Sequence, residues 1–378
     1  MSKFALTAQR VFDGWAMIED AALIIDGGVV QGVVPRASLD PVLPLRDLGG
    51  GVLAPGFIDV QVNGGGGVLF NATPTVDGVR RIAEAHRKYG TTGLLPTVIT
   101  DAPEVMRAAA GAVSQAIRQG VPGVLGIHIE GPFIDPARKG AHDARFIRKP
   151  AEDDIAWLCG LDCGKVLVTL APNVVAPEAI RRLCAAGIIV SLGHSDATAE
   201  EANAALAAGA RGFTHLFNAM SQMTGRAPGM VGAALSSASA MYGLIADGHH
   251  VHPAALRVAL GRNSGAFLVS DAMPTAAGGP RSFTLQGRPV EVVNGRLQLA
   301  DGTLAGANIT MLDAVKYLHR DLGLNLERVL PLATAQPAVF LGLPAELGLL
   351  ALKGRANLVH LTCDLDVLET WVDGVSSN

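Results

Sequence analysis

Short apolar runs, each suited to a buried β-strand, recur through the middle of the chain. Most are followed by a turn and then by a helical pattern of apolar positions. The eight runs lie at residues 57–62, 93–98, 124–129, 166–170, 188–192, 212–214, 242–246 and 266–270. Amphipathic helical patterns separate several of them, at 76–89, 103–119, 177–186, 199–208 and 253–260. Strands that alternate with helices form parallel sheets, so the pattern predicts an α/β fold with a (β/α)8 TIM-like barrel.

Both ends of the chain have a different pattern, with short strands and tight turns. Residues 21–25 run into a hairpin signal at Gly27-Gly28, and residues 356–361 and 367–372 have the same texture. We therefore expect a small β-sandwich domain built from residues 1–52 and 347–378, beside a catalytic barrel of residues 53–346. After the eighth run, residues 283–299 predict a hairpin around Asn294-Gly295, and residues 309–320 predict a helix. A doubly wound open sheet is the alternative, but no G-x-G-x-x-G follows the first strand to support it.

Composition indicates a globular protein with a large core. Of the 378 residues, 49% are hydrophobic and 17% are charged, which excludes an intrinsically disordered chain. The net charge of −4 gives no reason to expect a nucleic-acid partner. No apolar stretch approaches the roughly 18 residues of a membrane span, and none resembles a signal peptide. Because the four cysteines follow no zinc-ribbon or redox spacing, we expect reduced thiols and a cytoplasmic protein.

The reactive side chains fall at the ends of the predicted strands. These residues are Gln61 and Asn63 after the first run, Glu130 after the third, His194 after the fifth, His215 after the sixth and Asp271 after the eighth. In a barrel the carboxyl ends of all strands meet on one face, so we expect these residues at one mouth. Any one of them alone would more often be a structural or capping residue. Together they need partners, and one carboxylate with two imidazoles suits Zn²⁺ or Fe²⁺.

Seven segments, five of which contain these residues, resemble the amidohydrolase superfamily, and specifically its N-acetylglucosamine-6-phosphate deacetylases. They are residues 55–64 (PGFIDVQVNG), 128–133 (HIEGPF), 193–195 (GHS), 214–220 (THLFNAM), 245–248 (IADG), 270–272 (SDA) and 304–306 (LAG). The resemblance covers nearly the whole chain. It implies a homodimeric, metal-dependent hydrolase that converts N-acetyl-D-glucosamine 6-phosphate to D-glucosamine 6-phosphate and acetate.

The resemblance also implies the metal ligands. Glu130, His194 and His215 would bind one divalent transition metal per subunit, Zn²⁺ or Fe²⁺. Most of the superfamily carries His-x-His at the end of the first strand, where this chain has Gln61 and Asn63. Neutral amides bind transition metals far less well than imidazole does, so we expect the second-metal position to be vacant.

Two residues receive catalytic roles from the resemblance. A metal-activated water would attack the acetyl carbonyl, with Asp271 as general base and then general acid. His142 matches the family histidine that reaches the substrate, where it would help to stabilise the tetrahedral oxyanion.

The sugar phosphate would be bound by a further set of residues. Arg226 and His250 match family phosphate contacts that reach across a dimer interface, although Arg226 alone would be taken for a solvated surface arginine. The other positions that match the substrate pocket are Ala141, His142, Asn218, Ala219, Asp247, Leu304, Ala305 and Gly306.

Three alternatives stay open to different degrees. The first is an N-acetylgalactosamine-6-phosphate deacetylase. Its substrate differs from N-acetylglucosamine 6-phosphate in the orientation of one hydroxyl group, and no sequence motif indicates which epimer is bound. A cyclic amidase would require His-x-His and a lysine after the fourth strand, where the chain has Ala171-Pro172. A catalytically silent binding protein on the same barrel is disfavoured because Asp271 and all three metal-binding residues are present.

Overall fold

The computed structural model describes residues 3–261 and 265–377, and short strands make up most of residues 3–55. The strands are β1 (Phe4–Thr7), β2 (Arg10–Phe12), β3 (Met17–Glu19), β4 (Ala21–Asp26), β5 (Val29–Pro35), β6 (Leu45–Asp47) and β7 (Val52–Pro55), with a 3₁₀ turn at Arg36–Ser38. The predicted hairpin at Gly27-Gly28 is confirmed, because β4 and β5 pair in antiparallel fashion across it.

Strands and helices then alternate, as the apolar pattern predicts. The elements are β8 (Phe57–Val62), β9 (Gly64–Gly65), β10 (Val68–Leu69), α1 (Val76–Arg87), β11 (Thr91–Ile99), α2 (Pro103–Arg118), β12 (Gly126–Glu130), α3 (Glu152–Cys159), β13 (Lys165–Leu170), α4 (Pro177–Ala185), β14 (Ile189–Leu192), α5 (Ala199–Ala207), β15 (Gly212–Phe213), α6 (Gly229–Ser236), β16 (Met241–Leu244), α7 (Pro253–Gly261) and β17 (Ala266–Leu268). Every predicted run coincides with one strand of a single sheet.

That sheet is a nearly closed parallel barrel. Its hydrogen-bonded order is β17-β16-β15-β14-β13-β12-β11-β8. A parallel bridge joins Val62, the last residue of β8, to Ala272, four residues beyond the end of β17. The (β/α)8 prediction is confirmed, and the open-sheet alternative is wrong. Strands buried on both faces suit either fold, and the contact between the first and last strands is what distinguishes the barrel.

Local sequence signals explain where the helices begin. The Thr75 hydroxyl accepts from the backbone N–H of Gly78 at the start of α1. Thr198 forms a capping box with Glu201 at the start of α5, and Pro103 is the first residue of α2. These residues satisfy or remove backbone donors that a helix start leaves without partners.

The C-terminal third adds a small sheet, further helices and three closing strands. The elements are β18 (Ser282–Leu285), β19 (Arg288–Val293), β20 (Arg296–Gln298), α8 (Met311–Lys316), a π turn at Tyr317–Asp321, α9 (Leu326–Ala333), α10 (Ala335–Leu341), β21 (Leu358–Leu361), β22 (Val367–Val372) and β23 (Val375–Ser376). The predicted hairpin at 283–299 has three strands instead of two. A second turn at Gln286-Gly287, where both residues have positive φ, divides its first half.

Both chain ends contribute to the second structural unit, as predicted. A six-stranded mixed sheet has the order β23-β22-β21-β7-β2-β3, and a four-stranded sheet has the order β5-β4-β1-β6. Leu6 and Leu23 of the smaller sheet share a buried cluster with Val11, Leu53 and Trp371 of the larger one. The two sheets therefore pack on a common core, while the boundaries at 52/53 and 346/347 stay a prediction.

None of the helices in residues 3–261 and 265–377 is both long and apolar enough to cross a membrane.

Candidate metal centre and substrate cavity

The predicted site residues meet at the carboxyl end of the barrel. Glu130 is the last residue of β12, whereas His194 and His215 each lie two residues beyond β14 and β15. Asp271 lies three residues beyond β17. The barrel thus brings together four buried polar side chains that are far apart in sequence.

Glu130, His194 and His215 form a compact triangle of potential ligand atoms. Oε1 of Glu130 lies 3.0 Å from Nε2 of His194 and 3.1 Å from Nε2 of His215, and the two Nε2 atoms are 3.1 Å apart. Ligand atoms about 2.0–2.1 Å from a tetrahedral zinc ion lie roughly 3.4 Å from one another. The triangle is close to that size, so this donor set fits a single divalent transition metal.

The orientation of His194 also fits a metal ligand. Its Nδ1 atom lies 2.9 Å from the backbone carbonyl oxygen of Arg138, to which it can only donate. This bond engages Nδ1 with the backbone. It leaves Nε2, the nitrogen 3.0 Å from Oε1 of Glu130, as the ring atom available to a metal ion.

Three of the four site residues have backbone φ angles in the left-handed region. His194, His215 and Asp271 have φ values of +47°, +32° and +50°, which are costly for residues other than glycine. Such strain persists only where the surrounding structure holds it, and it clusters at functional sites.

Electrostatics separate the two carboxylates of the site. Burial disfavours the ionised form of Glu130, but hydrogen bonds from His194 and His215 outweigh burial and hold its pKa well below the ordinary value. Burial, assisted by the negative charge of Glu130, raises the pKa of Asp271 to about 6. A carboxylate that titrates near neutral pH is suited to accept and return a proton.

The two amides predicted at the second-metal position contact Asp271. Nδ2 of Asn63 lies 2.7 Å from Oδ1 of Asp271, and Nε2 of Gln61 lies 3.2 Å from the same oxygen. The Gln61 amide is also 3.2 Å from Oε2 of Glu130. Amide N–H groups therefore occupy the place from which two imidazoles would bind a second cation.

His142 lies on the loop that follows a 3₁₀ turn at Pro136–Arg138. It is buried, and its ring centroid is 4.4 Å from that of His194. Its Nδ1 atom lies 2.7 Å from Oγ1 of Thr100. Burial, assisted by the nearby His194, lowers the pKa of His142 well below the ordinary histidine value, so the ring is neutral at pH 7.

A cavity of about 410 Å³ opens over these residues. Its lining includes most of the predicted set, namely Asn63, Glu130, Ala141, His142, His194, His215, Asn218, Ala219, His250, Asp271, Leu304 and Gly306. A cavity of this size accommodates a phosphorylated monosaccharide.

Several predicted residues lie outside the lining. Gln61 lies beneath Asp271, and Ala305 is fully buried. Asp247 does not line the cavity but accepts a hydrogen bond from the ring of His250, with Oδ2 2.6 Å from Nδ1. Arg226 is exposed on the loop before α6 and does not line the cavity of its own chain.

His250 is predicted to reach the phosphate across a dimer interface. It lines the cavity of its own chain together with His142 and Asp271, so it can also contact a ligand bound there without a partner subunit. It does so because Asp247 accepts both the backbone N–H of His250 and a hydrogen bond from its ring, which turns the ring inward.

The lining also contains residues that the sequence did not identify as part of a site. The additional residues are Ile99, Ala137, Arg138, Gly140, Ile245, Met273 and Thr303. Ile99 ends β11, Ile245 follows β16, and Met273 lies shortly after β17. The rule that reactive residues follow barrel strands would have found these three if it had been extended to apolar side chains.

Comparisons with known proteins agree along the whole chain. The family model described as "Amidohydrolase family" matches residues 52–376, and "NagA composite domain" matches residues 3–53. The N-acetylgalactosamine-6-phosphate deacetylase of Shewanella sp. (strain ANA-3) is 44% identical over 95% of this chain and 92% of that protein. The N-acetylglucosamine-6-phosphate deacetylase of Haemophilus influenzae is 34% identical over 98% of each. The crystal structure of N-acetylglucosamine-6-phosphate deacetylase from Pasteurella multocida superposes with a TM-score of 0.96 at 35% identity, covering 99% of both chains.

Proposed function

The chain belongs to the amidohydrolase family and is a hydrolase of amides, and we propose that it deacetylates N-acetyl-D-glucosamine 6-phosphate to D-glucosamine 6-phosphate and acetate. The observation that carries the proposal is one cavity lined by the Glu130, His194 and His215 triangle, by Asp271 and by His142. Relatives at 34% to 44% identity that act on phosphorylated N-acetyl amino sugars support it.

A single divalent metal, Zn²⁺ or Fe²⁺, would be held by Glu130, His194 and His215. When bound, it supplies Lewis-acid chemistry, polarising the acetyl carbonyl and lowering the pKa of a water molecule toward about 7. The amides of Gln61 and Asn63 are poor ligands for such a cation, which supports one metal per subunit.

Asp271 would move the proton of the reaction. The attacking water forms a bond to the acetyl carbon and gives its proton to Asp271, and the carbon–nitrogen bond then breaks. Asp271 returns that proton to the departing amine, so that acetate and the free amino sugar are formed. Both amide donors reach Oδ1, which leaves Oδ2 as the oxygen to carry the proton.

His142 would stabilise the oxyanion that forms as water attacks. It lines the same cavity as Asp271, and its neutral ring can donate one hydrogen bond. A single oxyanion donor contributes about 3 kcal/mol to the stability of a transition state.

The phosphate group would be bound at the far side of the cavity. His250, which Asp247 orients, is the residue of this chain that we assign to the phosphate. We further propose a homodimer in which Arg226 of the partner subunit completes the site, because Arg226 is exposed and does not line the cavity of its own chain. Asn218, Ala219 and the loop of Leu304–Gly306 would contact the sugar.

The test is hydrolysis by purified, metal-loaded protein. We expect equimolar release of acetate and primary amine from N-acetylglucosamine 6-phosphate, and loss of activity on chelation with recovery on adding Zn²⁺ or Fe²⁺. Absence of turnover in protein that contains one equivalent of metal would overturn the proposal. Because all four cysteines are free, we propose that the reaction takes place in the cytoplasm.

N-acetylgalactosamine 6-phosphate is the second candidate substrate. The relative at 44% identity is a deacetylase of that epimer. Side-by-side measurement of kcat/KM on the two sugar phosphates distinguishes the candidates, and a higher value for the galactose epimer would favour the second.

A further inference from the structure

Thr100 has no role in the proposed reaction so far, yet its side chain contacts His142. Thr100 follows the last residue of β11, is fully buried, and has its Oγ1 atom 2.7 Å from Nδ1 of His142. We propose that Thr100 is a positioning residue, whose hydroxyl donates to Nδ1 of His142 and thereby places the ring's proton on Nε2. The inference rests on the proposed function, because it explains how His142 is prepared for the deacetylation.

The hydroxyl proton of Thr100 has two acceptors within reach. Nδ1 of His142 is 2.7 Å away, whereas the backbone carbonyl oxygen of Glu130 is 3.4 Å away, at the outer limit of a hydrogen bond. The hydroxyl carries a single proton, and we infer that it donates along the shorter contact. In the reverse arrangement Nδ1–H would donate to Oγ1 and the hydroxyl to the Glu130 carbonyl oxygen, which is the tautomer that the spectroscopic test distinguishes. A neutral imidazole whose Nδ1 accepts a hydrogen bond carries its own proton on Nε2.

Nε2 is the nitrogen that the reaction requires. His142 lines the cavity, and its Nε2 atom hydrogen-bonds to no residue within 3–261 or 265–377. With Nδ1 engaged by Thr100, Nε2 remains for the substrate, and its N–H can donate to the carbonyl oxygen as negative charge develops there. In the other tautomer a lone pair on Nε2 would meet that oxygen and repel it.

The surroundings of Thr100 hold its hydroxyl in place. Gln286, in the turn between β18 and β19, donates from Nε2 to the Thr100 carbonyl oxygen at 2.8 Å. From the same turn, Arg288 donates from Nη2 to the carbonyl oxygen of Ala141, beside His142, at 2.6 Å. Gly131 makes room, because a Cβ atom at this position would collide with Oγ1 of Thr100. One turn therefore fixes both partners of the hydrogen bond.

Two substitutions at Thr100 test the proposal by steady-state kinetics. We expect Thr100→Val to lower kcat about 10- to 100-fold with KM changed less than about threefold, which is smaller than the 10²–10³ loss on deleting an oxyanion donor. Thr100→Ser keeps the hydroxyl and should retain most of kcat. The matched control is Thr92→Val, since Thr92 lies on the same strand and its buried hydroxyl has no partner in the described part of the chain. If Thr100→Val retained the wild-type kcat, or if Thr92→Val lost as much, the proposal would be wrong.

A double-mutant cycle tests whether Thr100 acts through His142. In a His142→Asn background the tautomer no longer exists, so Thr100→Val should change kcat by less than about twofold. An undiminished loss in that background would mean that Thr100 acts by another route and would overturn the proposal.

A spectroscopic readout requires neither turnover nor a Thr100 variant. In the zinc-loaded protein labelled with ¹⁵N histidine, the His142 signals, assigned by their disappearance in His142→Asn, should show a proton on Nε2 and none on Nδ1. The opposite tautomer would overturn the proposal even if Thr100→Val failed to fold. Inactive wild-type enzyme with the expected tautomer would contradict the proposed function and leave the Thr100 assignment standing.

Discussion

The side-chain nitrogen of Asn63 lies 2.7 Å from Oδ1 of Asp271, at the end of the barrel where a second metal would otherwise bind. Gln61 donates to the same oxygen from 3.2 Å. Two neutral donors thus hold the carboxylate in place without competing with a cation for its other oxygen. If Asp271 is the general base, as we propose, these two contacts hold it in place beside a single metal site.

Replacing both amides by imidazoles should create the second metal site. We expect Gln61→His combined with Asn63→His to raise the metal content from one to two equivalents per chain, with Asp271 as a shared ligand. Metal analysis after dialysis measures this, and each single substitution is the control. A double variant that still bound one equivalent would show that the geometry of β8 excludes the second ion.

Asp271→Asn should separate metal binding from proton transfer. The amide keeps the size of the side chain but cannot accept the proton of the attacking water, so we expect kcat to fall by about 10²–10⁴. Metal content should stay at one equivalent, because Glu130, His194 and His215 are unchanged. A variant within tenfold of the wild-type rate would remove Asp271 from its acid–base role.

The acid side of the pH profile should report Asp271. Its pKa is raised to about 6 by burial and then by the charge of Glu130, and only the ionised form can accept a proton. kcat/KM should therefore rise with pH and level off above about pH 6. In the metal-loaded enzyme the midpoint of this rise should lie below pH 6, because a nearby cation favours the ionised carboxylate. The residual activity of Asp271→Asn should not show this rise between acidic and neutral pH. A wild-type midpoint well above pH 6 would assign the rise to another group.

A second buried carboxyl, Asp59, should make stability depend on pH. It accepts backbone N–H groups from Gln61 and Ser270 at 3.2 and 3.3 Å, and burial raises its pKa to about 7. Between about pH 4 and pH 7 the folded protein therefore holds a proton that the unfolded chain has lost, so this residue's contribution to stability declines as pH rises.

Asp59→Asn removes that titration. Relative to wild type, the variant should gain stability on going from pH 4 to pH 8, by an amount on the order of a few kcal/mol. Melting temperatures of the metal-loaded proteins across this range provide the measurement. A difference between the two proteins that did not change with pH would contradict the assignment.

Much of the fold could be predicted because two simple patterns carry it. Eight apolar runs alternate with amphipathic helices, and strands that end on one face bring Glu130, His194, His215 and Asp271 together. The rest depends on contacts that no local pattern specifies. Thr100 lies beside His142 where residues of the β18–β19 hairpin bind the backbone of both segments. The left-handed backbone of His194 and His215 likewise has no local sequence signal such as a glycine.

The proposed phosphate contact of Arg226 requires a partner subunit, because Arg226 does not line the cavity of its own chain. It is exposed on its own subunit, whereas His250 lines the cavity. If Arg226 of the partner subunit binds the phosphate, Arg226→Ala should raise KM about 10- to 100-fold with little change in kcat, as expected for one lost charge-assisted hydrogen bond.

Mixed dimers make that prediction specific. A heterodimer of an Arg226→Ala chain and an Asp271→Asn chain, purified through two different affinity tags, contains one site with both defects and one with neither if Arg226 acts across the interface. Such a dimer should show about half of the wild-type activity at low substrate concentration, as two-fold symmetry requires. If Arg226 instead served its own subunit, both sites would carry one defect and the heterodimer would be nearly inactive. Homodimers of each variant are the controls, and both should be far less active than the heterodimer under the same conditions.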